Sequence, residues 1–370
     1  MKKISETNIN ILDGDRGKNY PSPNELYKNG FCLFLSNKNI VGNRLNLEDC
    51  AYITEERHNL LRQGTLTYND IVLTTRGTVG NLLFVDSTFP LPSRINSGMV
   101  ILRSDQSEYL QKYLFYYLQS SYVREQIDEL QTGSAQPQLP IKDINQLKIE
   151  SISIAKQQHI VDILGSIDNS IENNEKIAAN LETYAISKYQ EITKGISDFI
   201  TLGEIVDIYD SKRKPLSSRE RESRKGNYRY YGATGVLDYV NDYLFDGEYV
   251  LLAEDGTVID ENGYPIVQLV TGQFWVNNHA HIMQAKAGYT NYSLYVALKK
   301  LSVNTAVTGA VQLKINQANL CALEMPRIDE NKLLTFNQEI EPLFLKIIHI
   351  RAEIEKLKEL KQLYLHKFFG

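Results

Sequence analysis

The sequence predicts an α+β protein in which two mixed α/β heads are joined by two long antiparallel coiled-coil helices, with an internal pseudo-twofold duplication. Two observations predict this class. Landmarks recur once with a period of about 180 residues, which is too long for a solenoid and indicates duplication of a whole domain with its connector. Two long segments also carry apolar residues at alternating steps of three and four, which is the spacing of a coiled-coil seam.

The duplication is visible as short segments that recur in the same order. Three pairs carry it: Gly77-Thr78-Val79 with Gly256-Thr257-Val258, Asn96 with Asn277-Asn278, and Thr132-Gly133 with Thr308-Gly309. Each copy then passes through a short apolar strand into a long helix. We therefore place the heads at residues 1–152 and 196–330, and the helices at 153–195 and 331–370.

The helix pairing is predicted from matching apolar seams, with Asn174 as a polar interruption that can fix register. The residues expected to pair are Ile160, Leu164, Ile167, Ile171, Asn174 and Leu181 in the first helix, and Leu343, Ile347, Ile350, Ile354 and Leu357 in the second. A capping box from Thr335 to Gln338 predicts the start of the second helix, and Pro342 is expected to kink it or delay its start. Separate packing of each helix on its own head stays open.

Composition limits the other classes of protein. The chain has 370 residues, of which 42% are hydrophobic, so more than one core is expected. Its three cysteines are odd in number and lack the close pairing of zinc sites, and we interpret them as reduced thiols. No leader or membrane-length apolar run occurs, which predicts a cytoplasmic protein without a membrane partner.

Charge is distributed unevenly. The net charge of −5 argues mildly against nucleic-acid binding, because phosphates favour basic surfaces. Residues 212–229 nevertheless hold eight lysines and arginines, opposed within that segment by Glu220 and Glu222, with tyrosines between them. This basic segment is our first choice for a DNA-contacting surface.

Catalytic motifs are missing from the sequence. It has no Walker A loop, and no proline neighbours another proline as amino-methyltransferase motifs require. The acidic run 254–262 fails the EF-hand spacing, and its copy places Arg76 where Asp255 stands. An arginine in one copy and an aspartate in the other fits two heads that recognise different targets. Sequence drift at an exposed turn explains the difference equally well. His279 and His281 lack a third ligand, which favours a hydrogen-bonding or core role over metal binding.

The order head, helix, head, helix resembles the specificity subunit of type I restriction-modification systems. The resemblance covers essentially the whole chain and is carried by Thr132-Gly133 with Gln138-Leu139-Pro140, by the helix start at 157–164, and by Ser166-Ile167-Asp168. It implies two target-recognition domains that each read one half of a bipartite, asymmetric sequence in double-stranded DNA. It implies no cofactor and no catalysis in this chain: two methyltransferase subunits would methylate adenine at N6 with S-adenosylmethionine, and restriction subunits, where present, would use ATP and Mg²⁺.

Candidate DNA contacts follow from the residue types that bind phosphates and base edges. In the first head they are Arg76, Thr78, Arg94, Asn96 and Gln136. In the second head they are Lys212, Arg213, Lys214, Arg219, Arg224, Lys225, Arg229, Tyr230, Tyr231, Asn277, Asn278 and Gln312. A solvated surface role is open for each residue alone. Two other functions also stay open: a self-contained DNA methyltransferase or nuclease, and a helical interaction scaffold with no DNA role.

Overall fold

A computed structural model describes residues 1–133, 136–309 and 312–370 of the chain. The chain divides into two compact units. Unit 1 comprises Met1–Glu172 and Glu355–Gly370, and unit 2 comprises Asn173–Ile354. Each long helix is divided between both units, and the boundaries between heads and helices stay a prediction.

Unit 1 is a mixed head followed by one half of each long helix. Its elements, with the whole of the first long helix, are β1 (Lys2–Lys3), β2 (Ile9–Asp13), β3 (Cys32–Leu35), β4 (Ile40–Val41), β5 (Arg44–Leu45), β6 (Ala51–Ile53), α1 (Glu55–Leu60), β7 (Ile71–Thr74), β8 (Leu82–Phe84), β9 (Ser93–Ile95), β10 (Met99–Ser104), α2 (Gln111–Tyr117), α3 (Ser121–Leu130), α4 (Ile141–Ile144), β11 (Lys148–Ile149) and α5 (Ile154–Thr193).

Unit 2 repeats this plan. Its elements, with the whole of the second long helix, are β12 (Phe199–Thr201), α6 (Leu202–Ile205), β13 (Val206–Ile208), α7 (Ser218–Ser223), β14 (Lys225–Tyr231), β15 (Val236–Val240), β16 (Phe245–Ala253), β17 (Val267–Val276), β18 (Ala280–Ala285), α8 (Asn291–Leu298), β19 (Val307–Thr308), β20 (Lys314–Ile315), α9 (Gln317–Cys321), β21 (Glu324–Pro326) and α10 (Glu330–Phe369).

The central sheets of the two heads have the same strand order. Unit 1 has the antiparallel order β2-β10-β7-β8, and unit 2 has β13-β18-β16-β17 followed by β14 and β15. Each head also pairs its first strand with the strand that precedes a long helix, as β1 with β11 and β12 with β21. The heads differ at the edge, because β3 and β9 form a parallel pair in a separate sheet of unit 1.

Side chains alternate between the two faces of each central sheet, and both faces pack against a core. In β7, Ile71 and Leu73 pack into the core that also holds α2, whereas Val72 packs into a second core on the opposite face. In β16, Val250 and Leu252 face the core that contains α8, and the opposite face carries Leu251. The duplicated sequence therefore produces the same two-faced sheet twice.

The long helices pack against each other within each unit. In unit 1, Ile160 and Leu164 of α5 share a core with Leu365 and Phe369 of α10. Further along α5, the Asp168 carboxylate lies 2.8 Å from the Lys361 ammonium of α10. Residue numbers along α10 fall as those of their contacts along α5 rise, so the two segments run antiparallel.

Unit 2 shows the same antiparallel packing. Tyr189 of α5 contacts Phe336 of α10 at 6.0 Å between ring centroids, and Glu182 of α5 lies 3.4 Å from Arg351. Leu181 packs against the core that holds Ile347. These contacts confirm the predicted fold class, and the alternative of helices packed separately on their heads is wrong.

The seam positions are mostly those the spacing predicted. The buried ones are Ile160, Leu164, Ile167, Ile171, Ile347, Ile350 and Ile354, and the half-buried ones are Asn174, Leu181, Leu343 and Leu357. In α10, Phe344 is fully buried where Leu343 was expected to lead the seam. The aromatic ring of Phe344 stacks on Tyr292 of α8, with ring centroids 5.2 Å apart, so the head determines which of the two neighbours turns inward.

The capping box predicted from Thr335 to Gln338 is wrong, whereas the predicted helix range 331–370 differs by one residue at each end from the observed one. α10 begins at Glu330, and the Asp329 side chain caps it by accepting hydrogen bonds from the amides of Asn331 and Lys332. Thr335 lies inside the helix, where its hydroxyl donates to the Asn331 carbonyl oxygen at 2.9 Å. The helix also runs through Pro342. The earlier start is favoured because it buries Leu333, at 4% exposure.

Candidate nucleic-acid interface

Two turns, one in each head, have the same pattern of backbone hydrogen bonds. In unit 1 the Thr75 amide donates to the Gly98 carbonyl oxygen, and the Leu139 amide donates to the Thr75 carbonyl oxygen. In unit 2 the amides of Glu254 and Ile315 make the corresponding bonds, to the carbonyl oxygens of His279 and Glu254. Residues 75–78 are called the Arg76 turn, and residues 254–257 the Asp255 turn.

The bridges beside these turns also correspond. Arg76 pairs with Gln138, and Asp255 pairs with Lys314, each as an isolated antiparallel bridge. The third residue of each turn is a glycine with positive φ, 71° at Gly77 and 80° at Gly256, a conformation that side chains disfavour. Arg76 and Asp255 therefore occupy one structural position with opposite charge.

A second matched feature lies beside each turn. The Asn96 side-chain oxygen accepts from the Gly98 amide at 2.8 Å, and the Asn277 oxygen accepts from the His279 amide at the same distance. Asn96 is half-buried and Asn277 is buried. Both asparagines were predicted as DNA contacts, but burial leaves Asn277 as a turn-forming residue, whose exposed neighbour is Asn278.

Unit 1 carries a cleft beside the Arg76 turn. A cavity of about 290 Å³ is lined by Asp13, Arg16, Thr75, Arg76, Val100 and residues 138–141. An adjacent cavity of about 380 Å³ is lined by Asp15, Arg16, residues 17–19, Arg62 and Gln63. Arg16 lines both cavities, and its side chain is 45% exposed. We call the two cavities together the Arg16 cleft.

The Arg16 cleft is cationic. Arg16, Lys18, Arg62 and Arg76 are exposed. The acids that line it are engaged: Asp13 lies 3.0 Å from the Arg16 guanidinium, and Asp15 accepts from the amides of Gly17 and Arg62. Burial would raise the pKa of Asp15, but these backbone bonds hold it below its ordinary value. The cleft is therefore positively charged. Arg76, the exposed arginine of the Arg76 turn, forms part of its lining.

Sequence reasoning missed Arg16, Lys18 and Arg62. One signal was available, because Asp13-Gly-Asp-Arg16 recurs as Asp210-Ser-Lys-Arg213 in the second half. Both copies form an ion pair three residues apart, from Asp13 to Arg16 and from Asp210 to Arg213. Its position directly after β2 and β13 places the motif next to the duplicated turns.

The corresponding place in unit 2 is filled by an ion network. Arg213 is 15% exposed, and its guanidinium lies 2.5 Å from the Glu254 carboxylate. His281 is 1% exposed, with Nδ1 2.6 Å from Asp210 and Nε2 2.8 Å from the Ile315 carbonyl oxygen. Lys314 completes the network, 3.2 Å from Glu254. Arg213 is therefore held inside the protein, contrary to its predicted role in contacting DNA.

The pKa values of the two acids follow from this network. Burial would raise the pKa of Asp210, but hydrogen bonding to His281 and the Ile282 amide holds it below its ordinary value. Burial acts likewise on Glu254, and its bond from Arg213 with the nearby positive charges also lowers that pKa. Both side chains are therefore carboxylates near neutral pH.

The network offers ligand types that metals use. One ligand atom each from Asp210, Glu254 and His281 falls within 4.8 Å of the others. Arg213 and Lys314 already neutralise the two acids, however, and would repel a cation. His281 bonds through both ring nitrogens, so we interpret the group as a closed structural network. His281 is buried and hydrogen-bonded, and Asp210 and Glu254 supply the further ligand types that were not identified from the sequence.

Burial rules out three further predicted contacts. Arg94 is 5% exposed and donates to the carbonyl oxygens of His58, Leu61 and Gln63, so it holds a loop together. Tyr230 and Tyr231 are 1% and 8% exposed and lie in two separate cores. Alternation along β14 buries these rings where the sequence showed only tyrosines inside a basic run.

The basic segment 212–229 is less cationic than its sequence indicates. Asp238 of β15 lies 3.2 Å from Arg221 and 2.9 Å from Lys225, and Asp242 lies 3.6 Å from Arg224. These acids follow the segment in the chain and return to it through the β14–β15 hairpin. Much of the positive charge is thus paired internally, including at the predicted contacts Arg224 and Lys225.

The other predicted contacts are exposed. They are Arg76, Thr78 and Gln136 in unit 1, and Lys212, Lys214, Arg219, Arg229, Asn278 and Gln312 in unit 2. Lys212 lies over the Tyr209 ring at 4.7 Å, and Arg224 lies over the Trp275 ring at 4.9 Å. Trp275 itself donates from Nε1 to the Lys214 carbonyl oxygen at 2.6 Å. Basic groups of this surface thus lie over aromatic rings, of which Tyr209 is half-buried and Trp275 is buried, and nucleic-acid interfaces combine the same two residue types.

Duplicated heads with matched turns of opposite charge, each joined to long paired helices, define a two-headed recognition protein. The family model for the type I restriction modification DNA specificity domain matches the chain twice, over residues 9–183 and 197–363. The chain therefore belongs to that family, and its role is DNA sequence recognition. This finding confirms the resemblance and does not favour the alternatives of a self-contained enzyme or a scaffold. Specificity subunits are generally non-catalytic.

Individual relatives agree with the family. The chain is 39% identical over 125 residues to the putative type I restriction enzyme specificity subunit S.HindORF215P of Haemophilus influenzae, covering 34% of this chain and 31% of that protein. It is 24% identical over 340 residues to the type I restriction enzyme MjaIX specificity subunit of Methanocaldococcus jannaschii, covering 81% and 77%.

A solved structure supports the fold. The type I restriction-modification S subunit from M. genitalium matches with a TM-score of 0.57 at 16% identity, covering 100% of this chain and 95% of that one. In the described part of the chain, no helix has the length and apolar character that a membrane span requires.

Proposed function

We propose that the chain reads a bipartite, asymmetric sequence in double-stranded DNA, with one half-site read by each head. The observation that carries this proposal is the matched pair of turns. Arg76 and Asp255 occupy one backbone frame, yet they present opposite charges to a ligand. A duplicated scaffold with unlike tips is suited to reading two unlike half-sites.

Affinity for DNA would come from phosphate contacts, which position a protein without reading sequence. In the first head the Arg16 cleft supplies these contacts through Arg16, Lys18 and Arg62. In the second head, exposed Lys212, Lys214 and Arg219 supply them. This local concentration of charge would offset the net charge of −5.

Catalysis would reside in partner proteins. In this proposal two modification subunits dock on α5 and α10 and methylate adenine at N6 with S-adenosylmethionine, in the cytoplasm. Restriction subunits would add ATP- and Mg²⁺-dependent translocation and cleavage. Exposed apolar side chains on the helices support docking there: Ile177 and Tyr184 on α5, and Leu345 and Leu363 on α10 are 45%, 46%, 53% and 66% exposed.

The helices would also act as a ruler between the half-sites. Each contains 40 residues. At 1.5 Å per residue, such a helix is about 60 Å long. This length is comparable with one to two turns of DNA, about 34–36 Å each.

A head exchange tests the proposal. Residues 196–329 would be replaced by the second head of another member of the family, and the chain would be expressed with its modification partner. Sequencing of methylated bases should show one half-site replaced and the other unchanged. A change in both halves, or no methylated bipartite motif with the unaltered chain, would contradict the proposal.

A further inference from the structure

We propose that Arg76 and Asp255 are equivalent specificity-determining residues with opposite hydrogen-bonding roles. Arg76 would donate to the paired acceptors O6 and N7 of a guanine in the first half-site. Asp255, supported by His279, would accept from an exocyclic base amine in the second half-site. This inference rests on the proposed function and assigns the residues that carry it.

Arg76 has a fixed backbone and an unengaged side chain. Its carbonyl oxygen accepts from the Asn37 side-chain amide, and its backbone pairs with Gln138. Its side chain is exposed, and among the residues described here no hydrogen bond or ion pair engages its guanidinium. A rigid main chain that presents a free guanidinium is suited to bidentate recognition of guanine, the commonest specific contact of arginine in the major groove.

Arg76 also lies at the rim of a cationic cavity. Arg16 lines the same 290 Å³ space and has its own carboxylate partner in Asp13. Lys18 and Arg62 line the adjacent cavity, so a phosphate drawn to the cleft meets positive charge beyond the Arg16–Asp13 pair, and Arg76 is not needed for charge neutralisation alone. We therefore assign Arg16 to contact with DNA phosphates and Arg76 to contact with a base.

Asp255 presents the opposite chemistry. Its Oδ1 lies 2.6 Å from Nδ1 of His279, and the two side chains are 18% and 47% exposed. Contact with Nδ1 holds the carboxylate in place through Oδ1 and leaves Oδ2 of Asp255 as the acceptor for a base amine.

A carboxylate at a DNA-facing turn needs compensation, because the phosphates repel it. A hydrogen bond that the carboxylate accepts from a base amine compensates for this repulsion. In the major groove that amine is N4 of cytosine or N6 of adenine. At the equivalent position of unit 1, Gly98 stands where His279 stands in unit 2. The support that His279 gives to Asp255 is therefore specific to the second head.

The test uses the full chain in complex with its modification partner and a pool of duplexes with randomised half-sites. Bound duplexes are sequenced for the wild type, Arg76→Lys, Arg76→Gln and Asp255→Asn. Both Arg76 variants should lose preference for guanine at one position of the first half-site by roughly 5- to 150-fold, with the second half-site unchanged. Asp255→Asn should relax one position of the second half-site, and the base lost there identifies cytosine or adenine.

The lysine variant separates a base contact from a phosphate contact. Arg76→Lys keeps the charge but loses the planar fork, so a phosphate contact would survive it with the motif intact. An intact motif in Arg76→Lys, or an unchanged second half-site in Asp255→Asn, would overturn the inference. Lys156→Gln, an exposed change on α5, is the control and should leave the motif intact. Failure of the wild type to select any sequence would instead contradict the proposed function.

Discussion

Gln157 donates from Nε2 to the carbonyl oxygen of Glu108 at 2.8 Å, which joins the start of α5 to the first head. Its Oε1 accepts from the Leu110 amide at 2.8 Å, and Nε2 also reaches the Ile152 carbonyl oxygen. In the second half, Asn337 of α10 donates to the Gly288 carbonyl oxygen at the same distance of 2.8 Å. A buried amide thus joins a long helix to the segment before α2 in one head and before α8 in the other.

Replacement of Gln157 by leucine should destabilise unit 1. Gln157 is fully buried, so Gln157→Leu leaves the Leu110 amide and the Glu108 carbonyl oxygen without these partners. Such a loss costs about 1–3 kcal/mol in the free energy of unfolding, to be measured by urea denaturation. The exposed neighbour provides a control, since Gln158→Leu should change stability by less than about 0.5 kcal/mol. Equal effects of the two changes would show that the buried bonds are not the cause.

The ion network of unit 2 should make its stability depend on pH. Asp210 and Glu254 have lowered pKa values when folded, so they stabilise the folded state above the ordinary carboxyl pKa. That stabilisation is lost as pH falls through the folded values. Between about pH 6 and pH 3, Glu254→Gln should therefore show a shallower loss of unfolding free energy than the wild type. Trp275, the one tryptophan of the chain, reports on unit 2 by fluorescence.

At neutral pH the same Glu254→Gln change should cost about 1–3 kcal/mol in the free energy of unfolding, because the buried Arg213 loses the closer of its two carboxylate partners and keeps only Asp210, at 3.6 Å. Glu261→Gln, at an exposed position of the same unit, is the matched control. Identical pH profiles for wild type and Glu254→Gln would contradict the role given to the network.

DNA binding should change the fluorescence of Trp275. Its ring lies under the Arg224 guanidinium, and its Nε1 is bonded to the Lys214 carbonyl oxygen. A phosphate that attracts Arg224 alters the surroundings of the ring, so we expect quenching that disappears at high salt. Arg224→Met should remove most of this response. An emission spectrum unaltered by saturating DNA would place the interface elsewhere.

Lengthening the helices should lengthen the gap between half-sites. Insertion of four residues after Glu172 in α5 and after Ile354 in α10, where the two units meet in the chain, adds about 6 Å of helix. At 3.4 Å per base pair, the methylated motif should gain roughly two base pairs of spacer. Asn173→Ala, which leaves the length unchanged, is the control. A constant gap would show that the helices are not the ruler.

The fold was largely predictable because its signals are local or periodic. The recurrence of Gly77 and Gly256 indicated the duplication, and the isoleucine spacing from Ile160 to Ile171 indicated the seam. Phe344 was harder to place, because its burial depends on Tyr292 in another element. The cap at Asp329 was missed since the Thr335 pattern was equally acceptable locally, and only the burial of Leu333 distinguishes them.

The site was less predictable, because side-chain pairing is long-range. Arg94 resembles an exposed reading residue in sequence, yet its partners His58 and Gln63 lie more than 30 positions earlier in the chain. Arg213 reaches Glu254 across 41 positions. Arg16 was overlooked since its recurrence as Arg213 does not indicate which copy is exposed, and that depends on the cavities beside Arg16 and on the Glu254 partner of Arg213.

The division of both long helices between the units imposes an order on folding during translation. Phe369 packs at 5.6 Å from the Tyr113 ring and 5.3 Å from the Tyr117 ring, so the core of unit 1 draws on residues made about 250 positions after its own aromatic helix. The ribosome therefore synthesises unit 2 in full before it supplies the last piece of unit 1. A prematurely terminated chain would carry a first head with an open core, which proteases and chaperones could recognise as unfinished.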